Sequence, residues 1–356
     1  MKKYQIVESY GTHMHAGSKA TNDCVNILEE LGFEKIEIVR HKPEDKSPVS
    51  KIIRQLSFYK QWNKVLNKLS EGDVLLLQHP YRRNHFGRTP SLLKLKNKKV
   101  KIISLVHDVE LIRGIYDDPF YQKEFDEMLS FADSIIVHNE EMKDWFVRYG
   151  VDEKRLVVLE IFDYLNDKSV SSSIEYSKTV TVAGNLSPDK SPYLYQLDKV
   201  PSIRFQLMGI GYHPTEDVSN VSYLGAFAPE EVPNHLNGGF GLVWDGESLD
   251  TCDGVTGNYL RYNNPHKLSL YLSSGLPVIV WKDSAEANFV EKNGVGLAVN
   301  SLFELSERLE KLSQDEYLQL VTNAKNIMKK LKEGYYLKSA VNKICLLYTS
   351  PSPRDS

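Results

Sequence analysis

The amino-acid sequence predicts an α/β fold. Short β-branched runs alternate with amphipathic segments of helical period, and the alternation occurs twice, on either side of a polar break at residues 162–178. The length agrees: 356 residues is long for one core and suits two domains, since domains usually run roughly 100–200 residues.

In chain order, residues 4–8 read as a first strand, and Ala20, Cys24, Ile27, Leu28 and Leu31 then recur at helical spacing until Gly32 supplies the stop. Ile36 and Ile38 mark a second strand. Ile52, Ile53, Leu56, Tyr59, Trp62, Leu66 and Leu69 form a long apolar stripe, read as one helix, which Glu71-Gly72 closes before the buried-type strand 73–77. Residues 100–106 and 134–137 are two more such strands, and Asn139 opens a helix with Met142, Phe146 and Tyr149 on one face.

The polar stretch that follows lacks an apolar period and is read as the linker. Strands are expected again at 179–183, 204–208, 240–244, 276–281 and 296–299. Ser301…Glu304 and Ser313…Glu316 have capping-box spacing, so two helices should close the chain. The expected organisation is a first α/β domain over 1–161, a linker over 162–178, a second α/β domain over 179–315, and closing helices over 316–345 that could cross back to the first domain. Residues 346–356 carry two Ser-Pro pairs, are expected to form a disordered tail, and resemble a translated sequencing-adapter artefact.

Composition bounds the function. Lys and Arg total 44 against 47 Asp and Glu, a net charge of −3, so no global field favours nucleic acid or an anionic membrane. Cys24, Cys252 and Cys345 are far apart and lack zinc spacing, which fits a reducing, cytoplasmic setting. No apolar run approaches the roughly 18–20 residues needed to span a bilayer. Residues 82–101 nevertheless hold eight Lys or Arg and no acid. That run is either a solvated face or a contact for an anionic acceptor, a partner or a membrane surface.

A dinucleotide G-x-G-x-x-G between strand and helix is absent, as are Walker A, G-x-S-x-G and H-E-x-x-H. The second half instead carries Asn263-Asn-Pro-His-Lys267 and an apolar helical run ending at Gly275. Pro265 at the start and Lys267 in the first turn would put unpaired amides and a cation at one helix N-terminus, which suits a diphosphate.

Six fragments stand in order along the chain: Ala16-Gly-Ser-Lys-Ala20, Leu105-Val-His-Asp108, Val182-Ala-Gly-Asn-Leu186, Tyr223-Leu-Gly-Ala226, Gly241-Leu-Val-Trp-Asp245 and Asn264-Pro-His-Lys267. Together they resemble the bacterial GT-B glycosyltransferase group that contains the streptococcal serine-rich adhesin glucosyltransferase and β-1,6-galactofuranosyltransferases. The resemblance implies two Rossmann-like domains facing a cleft, with the donor nucleotide on the second and the acceptor on the first.

Carried over residue by residue, it implies donor binding by Gly184 and Asn185, by Asn264, His266 and Lys267, and by Tyr223 and Gly225 at the uracil and ribose. Tyr223 could instead be a core tyrosine. Lys190 could add charge or start a solvated helix, and Glu286 could bond ribose or sugar hydroxyls or merely cap its helix. From the first domain, Gly17, Ser18 and Lys19 would close over the phosphates.

The expected reaction moves a hexose, foremost glucose, from a UDP-sugar to a hydroxyl of an N-acetylhexosamine-containing glycan on a protein or lipid carrier. UDP-galactofuranose is the rival donor, and a non-catalytic partner subunit is the rival class. Asp108 is the candidate base with His107 beside it; His15, His107 and Glu110 are rivals. No D-x-D is present, so no metal and no other cofactor is expected. A homo-oligomer without nucleic-acid partners, with peripheral membrane contact as an option, completes the expectations.

Overall fold

A computed structural model describes residues 1–9, 16–41, 45–81, 83–169, 173–214 and 216–349, with the side chains of residues 16–18 and 349 excepted. It contains two six-stranded parallel sheets. The first joins β1 (Lys3–Ser9), β2 (Phe33–Val39), β3 (Val74–His79), β4 (Lys101–Val106), β5 (Ser134–Val137) and β6 (Leu156–Val158) in the order β2-β1-β3-β4-β5-β6. The second joins β7 (Glu175–Asn185), β8 (Phe205–Ile210), β9 (Val221–Tyr223), β10 (Gly238–Val243), β11 (Val278–Trp281) and β12 (Gly296–Val299) in the order β12-β11-β10-β7-β8-β9.

Parallel strands need crossover helices on both faces, so their residues are buried on both sides. Val74, Leu75, Leu76 and Leu77 of β3 and all of β5 are buried accordingly. In each sheet the strand order reverses next to its first strand, between β1 and β3 and between β7 and β10. Ligands of open α/β sheets bind at the carboxyl ends of strands at such reversals.

The helix Pro48–Lys68 starts as its sequence dictates, with Pro48 in its first turn and the Ser47 hydroxyl accepting from Ser50 N. Its apolar stripe does not run the whole length inward, as the spacing had suggested. Phe58, Trp62 and Val65 are buried, whereas Ile52, Ile53, Leu56 and Tyr59 face solvent.

The chain crosses between the sheets after β6, and the crossing is no loose tether: Phe162, Asp163 and Tyr164 are buried. β7 begins at Glu175, earlier than its apolar pattern indicated. The Ser313–Glu316 capping box forms reciprocally at the helix Gln314–Lys332, while Ser301 caps only a short 3-10 turn.

The last helix, Tyr335–Thr349, returns to the first domain. The Asp163 carboxylate caps it by accepting from Tyr336 N (3.1 Å) and Leu337 N (2.7 Å), and burial pushes that carboxyl up to about 7. Lys338 pairs with Glu30 and the Tyr348 hydroxyl meets Ser134 Oγ. Gly334 turns the chain at φ +69°, and a β-carbon there would press within 2.7 Å of Ile27. The expected disorder from residue 346 is therefore corrected: packing against the first domain carries the helix on to Thr349, and residues 350–356 lie outside the described ones.

Candidate active site

The two sheets bring their carboxyl ends to a shared cleft. Asp108 and Arg113 from the first domain and Lys190, Asp245, Thr256, Tyr259 and Asn263 from the second line one cavity there. Asp108 follows β4; Asp245 follows β10, where the second sheet reverses.

Helix His266–Ser273 begins just after the lining residue Asn263, and its Lys267 Nζ bonds Asp245 Oδ1 of the cavity at 2.8 Å. Burial alone would raise the Asp245 carboxyl, but Lys267, Lys190 and Arg113 together hold it below its ordinary range. Burial in turn lowers the Lys190 ammonium, with Asp245 opposing. Three cations, Lys190, Lys267 and Arg113, thus converge from both domains with three carboxylates, Asp108, Glu110 and Asp245, and an anionic ligand would compete with those carboxylates for the cations.

The backbone around the cations is built for close approach. A β-carbon on Gly184 would touch the Lys267 stem at 3.4 Å. One on Gly209, the register partner of Gly184, would lie 1.7 Å from Gly184 O, so only glycine lets β7 and β8 run together here. Asn185 Oδ1 accepts from Ser187 N, and its carbonyl accepts from Ser191 Oγ, which shapes the turn that carries Lys190.

Tyr223 is 46% exposed, so it is not a core tyrosine; its hydroxyl donates to Gly209 O at 2.8 Å and leaves the ring face outward. Gly225 accepts from Gly209 N at a φ of +92°.

Glu286 is 2% exposed, yet neither carboxylate oxygen has a hydrogen-bond partner among the described residues, so although it stands at the N-cap position its side chain makes no capping bond. Burial first, and the Asp245 charge second, push its carboxyl well above the usual range. An orphaned buried carboxyl near Asp245 is what a set of ligand hydroxyls would satisfy.

Other expected site residues are engaged in holding the domains together. Asn264 is buried and saturated: its N–H donates to His138 Nδ1 (2.9 Å), its amide to His138 O and Glu160 O, and its carbonyl accepts from Asn139. Burial drops the His138 imidazole to about 3, so the ring is neutral, accepting at Nδ1 and donating to Val106 O. Asn264 thus bridges the start of the donor helix to the residues that follow β5 and β6 in the first domain.

His266 stacks on Phe162 at 4.9 Å, and Phe162 stacks on His107 at 5.2 Å, forming an aromatic column across the domain boundary. Burial brings the His266 imidazole to about 4, with Lys19 assisting. His107 Nε2 donates to Gln78 Oε1 at 2.6 Å. Lys19 is drawn to Asp23, to Leu165 O at 2.6 Å and to the Tyr164 ring face, so it ties the first domain to the linker. Gly17 and Ser18 lie in the first turn of helix Ala16–Glu30, and His15 lies outside the described residues.

Asp108 faces the cavity as expected and pairs with Arg113 Nη1 at 3.3 Å; Arg113 also meets Glu110 Oε1 at 3.0 Å. Arg113 and Tyr259 were not singled out from the sequence, because each becomes meaningful only once the domains meet. The Tyr259 hydroxyl accepts from Val109 N at 2.9 Å and so latches the second domain onto the residue after Asp108. Asp245 was visible only as the end of a strand motif.

Comparison with known proteins agrees with this geometry. Residues 3–161 match the N-terminal domain model of the glucosyltransferase 3-like proteins, and residues 180–344 match the C-terminal domain model. The chain is 32% identical to the β-1,6-galactofuranosyltransferase WbbI of Escherichia coli strain K12 over 92% of its own length and 94% of the relative's. It is 26% identical to glucosyltransferase 3 of Streptococcus gordonii, covering 95% and 97%. The Anabaena HepE protein in complex with UDP-glucose has the same fold, with a TM-score of 0.56, 12% identity and coverage of 97% and 100%. With both sheets, their cleft and both family models in register, the chain belongs to the glucosyltransferase 3-like family of GT-B glycosyltransferases.

Proposed function

We propose that the chain transfers a hexose from a UDP-sugar to a hydroxyl of a glycan acceptor held by the first domain. The observation that carries this reading is the convergence of Lys267, Lys190 and Arg113 on Asp245 in the cleft, with the orphaned Glu286 close enough to feel the Asp245 charge. The cations would neutralise the diphosphate in the ground state and the charge that builds on it as it departs. Glu286 and the exposed Tyr223 ring would engage hydroxyls and the base.

In the proposed step the acceptor oxygen bonds the anomeric carbon, the bond from that carbon to the diphosphate oxygen breaks, and the acceptor proton passes to Asp108. UDP leaves with the electron pair. The cations make a metal unnecessary in this scheme, and turnover is expected to persist in EDTA.

For the donor, UDP-glucose on an N-acetylhexosamine-containing acceptor is the first reading, in keeping with the streptococcal relative's name. The higher identity to WbbI favours UDP-galactofuranose as the second. Calorimetry across a UDP-sugar panel, followed by hydrolysis assays, tests both. Saturable binding of one donor is expected, and no affinity for any UDP-sugar would sink the proposal in favour of a non-catalytic subunit.

A further inference from the structure

On the first domain, Val49, Ile52, Ile53 and Leu56 of helix Pro48–Lys68 each expose more than half of their surface, as does Phe86 in the loop before the next helix. Tyr59 adjoins Phe86 with ring centroids 5.7 Å apart, and Gln55 ties the two segments by donating to Asn84 O and accepting from Phe86 N. These side chains form one continuous apolar patch on a rigid element. Scattered exposed apolar residues need no explanation, but a contiguous patch of large ones marks a contact surface.

The charge around the patch indicates what covers it. Helix Pro48–Lys68 exposes Lys51, Lys60, Lys64 and Lys68, with Arg54 buried, and contains no acidic residue. The described stretch 83–101 beyond it adds Arg83 and Lys94, Lys96, Lys98, Lys99 and Lys101, with Arg88 buried, and again no acid. Two acids border the helix: Asp45, held ionised at its start by Ser47 N and the Ser50 hydroxyl, and Glu34, which pairs with Lys68 at its end, so Lys51, Lys60 and Lys64 leave the exposed face positive.

A second copy of the same face would set these cations against each other. An anionic lipid surface complements both features, since an apolar stripe flanked by cations partitions into the headgroup region. Among the described residues no helix is long and apolar enough to cross a membrane, so contact by this face would be peripheral.

We propose that the exposed face of helix Pro48–Lys68, together with Phe86, docks the first domain on an anionic lipid surface. The patch borders the cleft. His85 and Arg88, on either side of Phe86 in the chain, approach Glu8 at the carboxyl end of β1, each at 3.7 Å. Docking here would hold the acceptor side of the cleft against the bilayer, where a lipid-borne acceptor would enter. The docking itself does not depend on the donor reading.

The test is flotation of the full chain with vesicles of phosphatidylcholine alone or of equal parts phosphatidylcholine and phosphatidylglycerol, with UDP binding as the control for folding. The wild type is expected to float with the anionic vesicles only and to come off at about 1 M salt, where screening reaches roughly 3 Å. Ile52→Ser with Leu56→Ser should abolish flotation, and Lys60→Ala or Lys64→Ala should each weaken partitioning about fivefold. UDP affinity should stay unchanged in all of these variants, since none of the residues lines the cleft. Absence of flotation, or equal flotation with neutral vesicles, overturns the proposal. So does a dimer by light scattering that Ile52→Ser with Leu56→Ser dissociates while vesicle binding is absent, because the patch would then be covered by a second copy.

Discussion

Lys267 Nζ lies 2.8 Å from Asp245 Oδ1 where the second sheet reverses its strand order, so the donor helix offers its cation to an internal carboxylate. A diphosphate entering the site competes with Asp245 for that ammonium. Two substitutions should therefore act with opposite sign. Lys267→Ala removes a charge-assisted contact and should weaken UDP binding by roughly 1.5–3 kcal/mol. Asp245→Asn keeps the shape but removes the competing charge, so UDP affinity should rise. Calorimetry on both variants checks this, and weaker UDP binding in Asp245→Asn would show that the carboxylate does not compete with the diphosphate.

Asp108 shares the cavity with Asp245 but belongs to the other domain, where Arg113 pairs with it at 3.3 Å. If it removes the acceptor proton, Asp108→Asn should leave UDP affinity intact and slow turnover by about 10²–10⁴-fold. Steady-state rates with a binding control separate the two effects. Turnover at the wild-type level would move the search to Glu110, His107 and His15.

Much of this was legible in the sequence, because strands such as Val74–His79 are buried on both faces and read as unbroken apolar runs. Lys267 was found for a similar local reason: Pro265, an apolar helical period and Gly275 announce where a helix starts and stops. What remained hidden depends on contacts between distant segments. Asn264 sits in the same motif as Lys267, yet its partners are His138, Asn139 and Glu160. Arg113 and Tyr259 carry no motif at all. The stripe of Pro48–Lys68 has helical period throughout, and only the tertiary fold shows that part of it points outward.

The bridging role of Asn264 separates from a ligand role by experiment. Asn264→Ala removes three side-chain hydrogen-bond partnerships and leaves the carbonyls of His138 and Glu160 and the Asn139 amide short of partners. A cost of about 2–4 kcal/mol in unfolding free energy is expected, measured by urea denaturation. UDP affinity of the folded variant should stay within about threefold of wild type, which is less than 1 kcal/mol. A large affinity loss without a stability loss would return Asn264 to the donor site.

Glu286 offers a test in which pH supplies the variable. Its carboxyl has an ordinary value of 4.5, and burial raises it well above that in the folded chain. A carboxyl whose folded value is raised keeps its full contribution to stability below 4.5 and loses it as pH climbs toward the folded value, because the unfolded chain's carboxyl ionises there while the buried one stays protonated. Glu286→Gln cannot ionise and should be nearly as stable as wild type at pH about 4.5, then gain on it by about 1.4 kcal/mol per pH unit above that, up to the folded value. Denaturation midpoints of both proteins across this range measure the gap. Gln retains hydrogen-bonding capacity toward ligand hydroxyls, so UDP-sugar affinity should fall less in Glu286→Gln than in Glu286→Ala, whose loss should be about 10-fold or more for a charge-free contact pair. A stability gap that stays flat with pH would mean that Glu286 is already charged in the folded chain, and would remove it as a neutral partner for donor hydroxyls.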